Sequence, residues 1–213
     1  MQQKLNKLKA KVKRAFKKGV WLIGGGYDQK KFWDGWAPAF IDDPWQVEVH
    51  PQHSWLLKLV KKNKPATILE LGCGFGRNVK YLIDNGVPPS TITGVDISPK
   101  MIKLAKRFVK NKKVKLIVAS VEGYSPHKKF DFVFTHGVLM HIPSGSVESA
   151  LKRIVDISNK SLVFIEQNYE ADNDYTFTHN YKALLKEQKL DIIEYQNNKK
   201  LGLDLIYAKV RKK

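Results

Sequence analysis

With 213 residues, 43% hydrophobic and 11% aromatic, the chain is long enough for one well-buried domain with peripheral additions and too short for two full ones, so global disorder is excluded. Its single cysteine, Cys73, excludes an intramolecular disulfide framework and any multi-cysteine zinc or iron–sulfur site, and fits a reducing, cytoplasmic setting. A formal charge of +18 attracts anionic partners such as nucleic acid, a phospholipid surface or a phosphorylated substrate, and it serves equally well as a solvated lysine-rich surface.

Residues 1–23 place Leu5, Leu8, Val12, Phe16 and Val20 at three- and four-residue spacing, and lysines with Arg14 fill the remaining surface. That spacing predicts a basic amphipathic helix, suited either to peripheral contact with an anionic membrane or to packing on its own domain. The apolar run at 20–23 is too short for a secretory segment, and no stretch approaches the roughly 20 apolar residues of a membrane-spanning helix. Gly24, Gly25 and Gly26 read as a hinge. The aromatic-rich residues 27–40, followed by turn chemistry at Asp42, Asp43 and Pro44, read as a cap. Residues 1–50 thus form an N-terminal addition, and the main domain runs over 51–213.

A helix from about Pro51 to Lys62 leads into alternating elements. Strands are predicted over 67–71, 91–95, 114–118, 130–135 and 161–166. Helices are predicted near 76–85, 99–110, 146–157 and 178–188. Two closing strands, 190–196 and 203–210, form an antiparallel pair. The fold class is therefore α/β, a doubly wound, mostly parallel, seven-stranded Rossmann-like sheet with an antiparallel C-terminal strand pair and a small helical N-terminal cap. In such a sheet a ligand sits at the carboxyl ends of the strands, beside the switch point.

The most informative segment is ILELGCGFGRN, residues 68–78. An apolar strand runs into Gly72, Gly74 and Gly76 and a helix follows, so the backbone turns tightly and meets a ligand without side chains between them. Asp96, ending the second strand, is placed to accept hydrogen bonds from a ribose diol. A dinucleotide fingerprint would require a third glycine at the position of Arg77. The segment instead resembles motif I of the class I S-adenosylmethionine-dependent methyltransferases, and the resemblance continues from about residue 65 to 170.

The resemblance implies S-adenosylmethionine as cofactor and residues 51–213 as the methyltransferase domain. It places Glu70, Gly72 and Gly74 around the methionine and ribose portions, with Cys73 inside the same loop. Asp96 becomes the ribose acid, and Ile97 packs on adenine. Ser120 falls where the family usually has an aspartate for the adenine amino group, and Val121 would offer its backbone N–H to the ring. His136 and His141 fall in the fourth-strand region that faces the departing methyl group. His136 is the first candidate for a general base and a neighbour of the cofactor. His141 matches a position where histidine is common, with substrate or loop geometry as its other role. Tyr27, Phe32, Trp33 and Trp36 would close over the cofactor or simply staple the cap to the domain.

The acceptor is narrowed by what is missing. Thr135-His136-Gly137-Val138 is not the D/N-P-P-aromatic motif of base-amine methylation, and Cys73 is misplaced for pyrimidine carbon-5 chemistry. Metal assistance is not expected, although His136, Glu166 and Asn168 lie where ligands would. Gln167, Asn168, Tyr169, Tyr175 and His179 suit a hydroxyl-rich ligand. The expected activity is O-methylation of a small or lipid-linked acceptor, saccharides included. The alternatives are an RNA methyltransferase and a non-catalytic basic scaffold that docks on membrane or nucleic acid.

Overall fold

The computed structural model describes residues 27–169, 173, 175–188 and 190–211. The basic helix expected over 1–23 and the hinge at Gly24 to Gly26 lie outside them. The helices are α1 (Gln29–Phe40), α2 (Pro44–Val47), α3 (Pro51–Asn63), α4 (Arg77–Asp84), α5 (Pro99–Val109), α6 (Val147–Asp156) and α7 (Tyr181–Glu187). The strands are β1 (Ile68–Leu71), β2 (Ile92–Asp96), β3 (Lys115–Val118), β4 (Phe130–His136), β5 (Ser158–Gln167), β6 (Asp191–Asn198) and β7 (Leu203–Lys209).

The strands form one sheet in the order β3-β2-β1-β4-β5-β7-β6. Pairings among β1 to β5 are parallel, and β7 runs antiparallel to both β5 and β6. The order reverses between β1 and β4, which places the ligand crevice at the carboxyl ends of β1, β2 and β4. Among the described residues no helix is long and apolar enough to cross a membrane.

Strand parity divides the core. Leu69, Leu71, Val133, Leu162 and Phe164 pack on α6 and α7, against Leu151, Ile154, Tyr181 and Leu185. Ile68, Ile92, Phe132, Phe134 and Val163 pack on the opposite side, against Leu56, Val79 and Ile102 of α3, α4 and α5. Each large apolar side chain so buried contributes about 1.5–3 kcal/mol, which makes the sheet the rigid part of the molecule. Alternation then dictates where the polar residues go. Glu70 shares the side of Ile68, and His136 the side of Phe132 and Phe134, so both face α3 and α4.

The aromatic cap is a true helix. The Asp28 carboxylate caps α1 by accepting from the Lys31 N–H at 3.0 Å. The helix is fixed to the sheet end by Asp34, whose Oδ1 accepts from the Ser98 hydroxyl at 2.6 Å. Ser98 in turn caps α5 by accepting from the Met101 N–H at 3.1 Å, with Pro99 at the first helical position. Most boundaries shift by a residue or two, and three of the shifts bear on the site or its supports. β4 continues one residue further, so His136 ends the strand instead of following it; β5 begins at Ser158; and α7 is shorter than the 178–188 helix, because the Asn180 side chain caps it by accepting from the Ala183 N–H.

Candidate active site

A cavity of about 380 Å³ opens over the carboxyl ends of β1, β2 and β4. The loop after β1 forms its floor, with Gly72, Gly74 and Gly76 at φ of +70°, +53° and +86°. A side chain at Gly74 would meet no atom within 4 Å, so the crevice there is open above bare main chain. At Gly76 a Cβ would lie 2.7 Å from Val109, so this third glycine serves the packing of α4 on α5.

Asp96 faces this floor. Its Oδ2 accepts from the Gly74 N–H and its Oδ1 from the Ser98 N–H, both at 2.8 Å. Each oxygen keeps a lone pair for a ligand, although burial pushes the carboxyl pKa upward against these two hydrogen bonds. Ile97, Ser120 and Val121 line the same end of the cavity. The Ser120 hydroxyl accepts from the Gly123 N–H at 3.0 Å and so closes its own turn. Cys73 borders the cavity, but its thiol is turned into the core over Gly94, and burial raises its pKa well above the ordinary value.

At the other end of the floor, Glu70 is 1% exposed. Its Oε1 accepts from Asn78 Nδ2 at 2.6 Å, and its Oε2 is sealed without a partner. Burial pushes its pKa up to about 8, against the pull of the Asn78 amide and the Arg77 guanidinium. Gln52, from α3, lines the same region, and its Oε1 is also buried and unpartnered. Arg77 is held over the cavity by donating to the carbonyls of Gln46 at 3.0 Å and Trp45 at 3.4 Å. Sequence reasoning singled out none of Gln52, Arg77 and Asn78 as site residues. For Asn78 the signal available was parity: once Glu70 and His136 share a face, a polar side chain in the first turn of α4 can reach both.

His136 lines the cavity with Nδ1 3.2 Å from Asn78 Oδ1, and its ring centroid is 5.5 Å from that of His53. Burial, then Arg77 and the two neighbouring imidazoles, hold its pKa well below the ordinary value, so it stays neutral. His141 sits in the turn Leu139–His141 and donates from Nδ1 to the Tyr175 carbonyl at 2.7 Å. Burial lowers its pKa to about 4, and its ring meets Trp33 edge-on at 4.9 Å. Glu166 fixes the loop that carries these groups, accepting from the Thr135 hydroxyl at 2.7 Å and from the N–H groups of Val138 and Met140.

Of the four cap aromatics, Trp33 reaches the cavity, joined by Phe40. Phe32 is buried behind it against Tyr175, at 4.6 Å between ring centroids, and Tyr27 and Trp36 pack on Phe32. Gln167 and Tyr169 line the mouth. The other polar residues expected there are engaged elsewhere: Asn168 donates to Asp204, and His179 Nε2 lies 3.0 Å from the carbonyls of Leu139 and Ile142. Of the groups named beside His136 as lying where ligands would, Glu166 accepts from the loop amides and Asn168 donates its amide to Asp204.

The buried ionisable groups make stability depend on pH. Glu70 and Glu166, raised to about 8 and about 7 from 4.5, bind protons more tightly in the folded state, so they oppose folding as pH rises through those values. His53 and His141, lowered to about 4 from 6.5, act oppositely and cost stability as pH falls below 6.5. Between pH 6.5 and 8 only the carboxyls of this set still titrate. Thermal midpoints measured across that window should therefore fall as pH rises, and a flat or rising profile would contradict these burial effects.

Residues 68–161 match the methyltransferase domain family. The chain is 33% identical over 98 residues to malonyl-[acyl-carrier protein] O-methyltransferase 1 of Ilyobacter polytropus, covering 46% of this chain and 36% of that protein. It is 26% identical over 156 residues to the ubiquinone biosynthesis O-methyltransferase of Pelagibacter ubique, covering 65% and 63%. The chain spans about a third of the length of the first of these relatives and its counterparts in other bacteria. Among solved structures, magnesium protoporphyrin IX methyltransferase from Synechocystis with bound SAH superposes with a TM-score of 0.70 at 13% identity, covering 86% of this chain and 100% of that one. The N-methyltransferase NodS from Bradyrhizobium japonicum in complex with S-adenosyl-L-homocysteine gives 0.68 at 18% identity, covering 84% and 99%.

Proposed function

We propose that this chain, whose residues 68–161 match the methyltransferase domain family on a fold shared with S-adenosylmethionine-dependent enzymes, methylates a hydroxyl oxygen of a small or lipid-linked acceptor. The observation that carries the reading is one continuous cavity running from Gly74 and Asp96, past the neutral His136, to Gln167 and Tyr169.

The residues present fit the cofactor. The open main chain at Gly74 and the free lone pairs of Asp96 suit a nucleoside, with Ile97, Ser120 and Val121 around the base. Glu70 Oε2 and Gln52 Oε1, both buried acceptors without partners, suit the methionine ammonium group. Arg77 supplies positive charge for its carboxylate. When bound, S-adenosylmethionine supplies a methyl carbon already activated by its positive sulfur.

What remains for the protein is alignment, dryness and a place for the acceptor's proton. Trp33, Phe40 and Val138 give apolar walls, and Glu166 holds the loop that carries Val138. His136 is neutral and able to take a proton from a hydroxyl. His141, whose Nδ1 proton is committed to Tyr175, holds the cap and loop together. The sequence relatives named above support oxygen as the methylated atom.

Isotopically labelled S-adenosylmethionine added to cell extract with the purified chain tests the acceptor class. Label is expected in small molecules or lipids; incorporation into RNA would replace this reading with the nucleic-acid one. His136→Ala should leave cofactor affinity unchanged in calorimetry and lower turnover about 100-fold, the low end of general-base contributions. Undiminished turnover would remove His136 from proton transfer.

A further inference from the structure

We propose that Asn78 is a positioning residue that links the Glu70 carboxyl to His136 and fixes the imidazole with its proton on Nδ1, so that the cavity wall presents a bare Nε2. The three side chains form one chain of hydrogen bonds, Glu70 Oε1 to Asn78 Nδ2 at 2.6 Å and Asn78 Oδ1 to His136 Nδ1 at 3.2 Å. Glu70 and Asn78 are 1% and 5% exposed, so water does not compete for these bonds.

Donor and acceptor roles propagate along it in one direction. A carboxylate only accepts, so the amide must turn its NH₂ toward Glu70. In the ligand-free chain a proton taken up by Glu70 belongs on Oε2, the oxygen without a partner, and leaves Oε1 an acceptor as before; an ammonium group bound at Oε2 takes that proton's place and leaves Oε1 equally an acceptor. The amide carbonyl then faces His136 and also only accepts, so Nδ1 must carry the hydrogen. Burial, then Arg77, His53 and His50, oppose a second proton on the ring, which leaves Nε2 as a lone pair. The ligand group that suits this wall is a hydrogen-bond donor, such as a hydroxyl or an amine, and a group that can only accept is disfavoured. The catalytic meaning of this arrangement rests on the methyltransferase reading, whereas the tautomer itself does not.

Nitrogen-15 NMR of histidine-labelled full-length chain tests it without an acceptor, with His136→Gln identifying the resonances. The expected spectrum has a protonated, pyrrole-like Nδ1 and a pyridine-like Nε2 for His136. In Asn78→Ala the two shifts should move toward each other as the preference is lost. A wild-type spectrum with the proton on Nε2, or an Asn78→Ala spectrum identical to wild type, would overturn the proposal. Should Asn78→Ala fail to fold, the wild-type spectrum decides alone. Failure of the methyltransferase reading has a separate signature, absence of S-adenosylmethionine binding in calorimetry with the His136 tautomer as described.

Discussion

Replacing Asp96 with alanine is expected to weaken S-adenosylmethionine binding by about 100-fold or more, the largest single loss at this site. The carboxylate holds the Gly74 and Ser98 N–H groups at 2.8 Å each, and so ties the loop after β1 to the start of α5. Its remaining lone pairs are the acceptors available to a ribose diol. A hydrogen bond to a charged group is worth about 1.5–3 kcal/mol, and two of them convert to the stated factor or more. Alanine also leaves two N–H groups lining the crevice without an anion, so the floor itself loosens. Asparagine keeps the shape but must aim its NH₂ at one of those N–H groups, so it should bind better than alanine and worse than the native carboxylate. Calorimetric titration of the three proteins checks the order; equal affinity for all three would place the nucleoside elsewhere.

The part of the site built on glycines and strand ends was legible because the constraints are local. Three glycines at positive φ can be read from their spacing, and a carboxylate ending the adjacent strand follows from the βαβ pattern. The antiparallel closing strands were equally plain, since two alternating runs separated by a short polar turn have few other solutions. What escaped was whatever depended on parity one residue past a predicted boundary. Ending β4 at residue 135 detached His136 from the phase of Phe132 and Phe134, and with it the reason for Asn78 and His53 to meet it. Gln52 and Arg77 were hidden for another reason. Each occupies the first turn of a helix whose placement over the sheet is set by tertiary packing, and sequence periodicity reports only the buried stripe of such a helix.

Glycine-to-alanine substitutions at positions 72 and 74 should separate cofactor space from protein packing. At Gly74 the added methyl meets no protein atom within 4 Å, so the folded chain bears mainly the left-handed backbone cost of about 1–2 kcal/mol. Part of that is offset because alanine narrows the unfolded ensemble. The methyl would, however, stand in the crevice where bare main chain must approach the ligand. Overpacking of about 1–3 kcal/mol then lowers S-adenosylmethionine affinity roughly tenfold to a hundredfold. At Gly72 the same methyl would lie 2.3 Å from Val138 Cγ2, in a loop that Glu166 holds by the Val138 N–H at 3.0 Å and cannot easily release. Strain and overlap add there, and the thermal midpoint should fall by the order of 10 °C even without ligand. Val138→Ala in the Gly72→Ala background removes the obstructing methyl groups and should recover part of that loss, while leaving Gly74→Ala unaffected. If Gly74→Ala binds S-adenosylmethionine as tightly as the native chain, the space above that glycine is not where the cofactor lies.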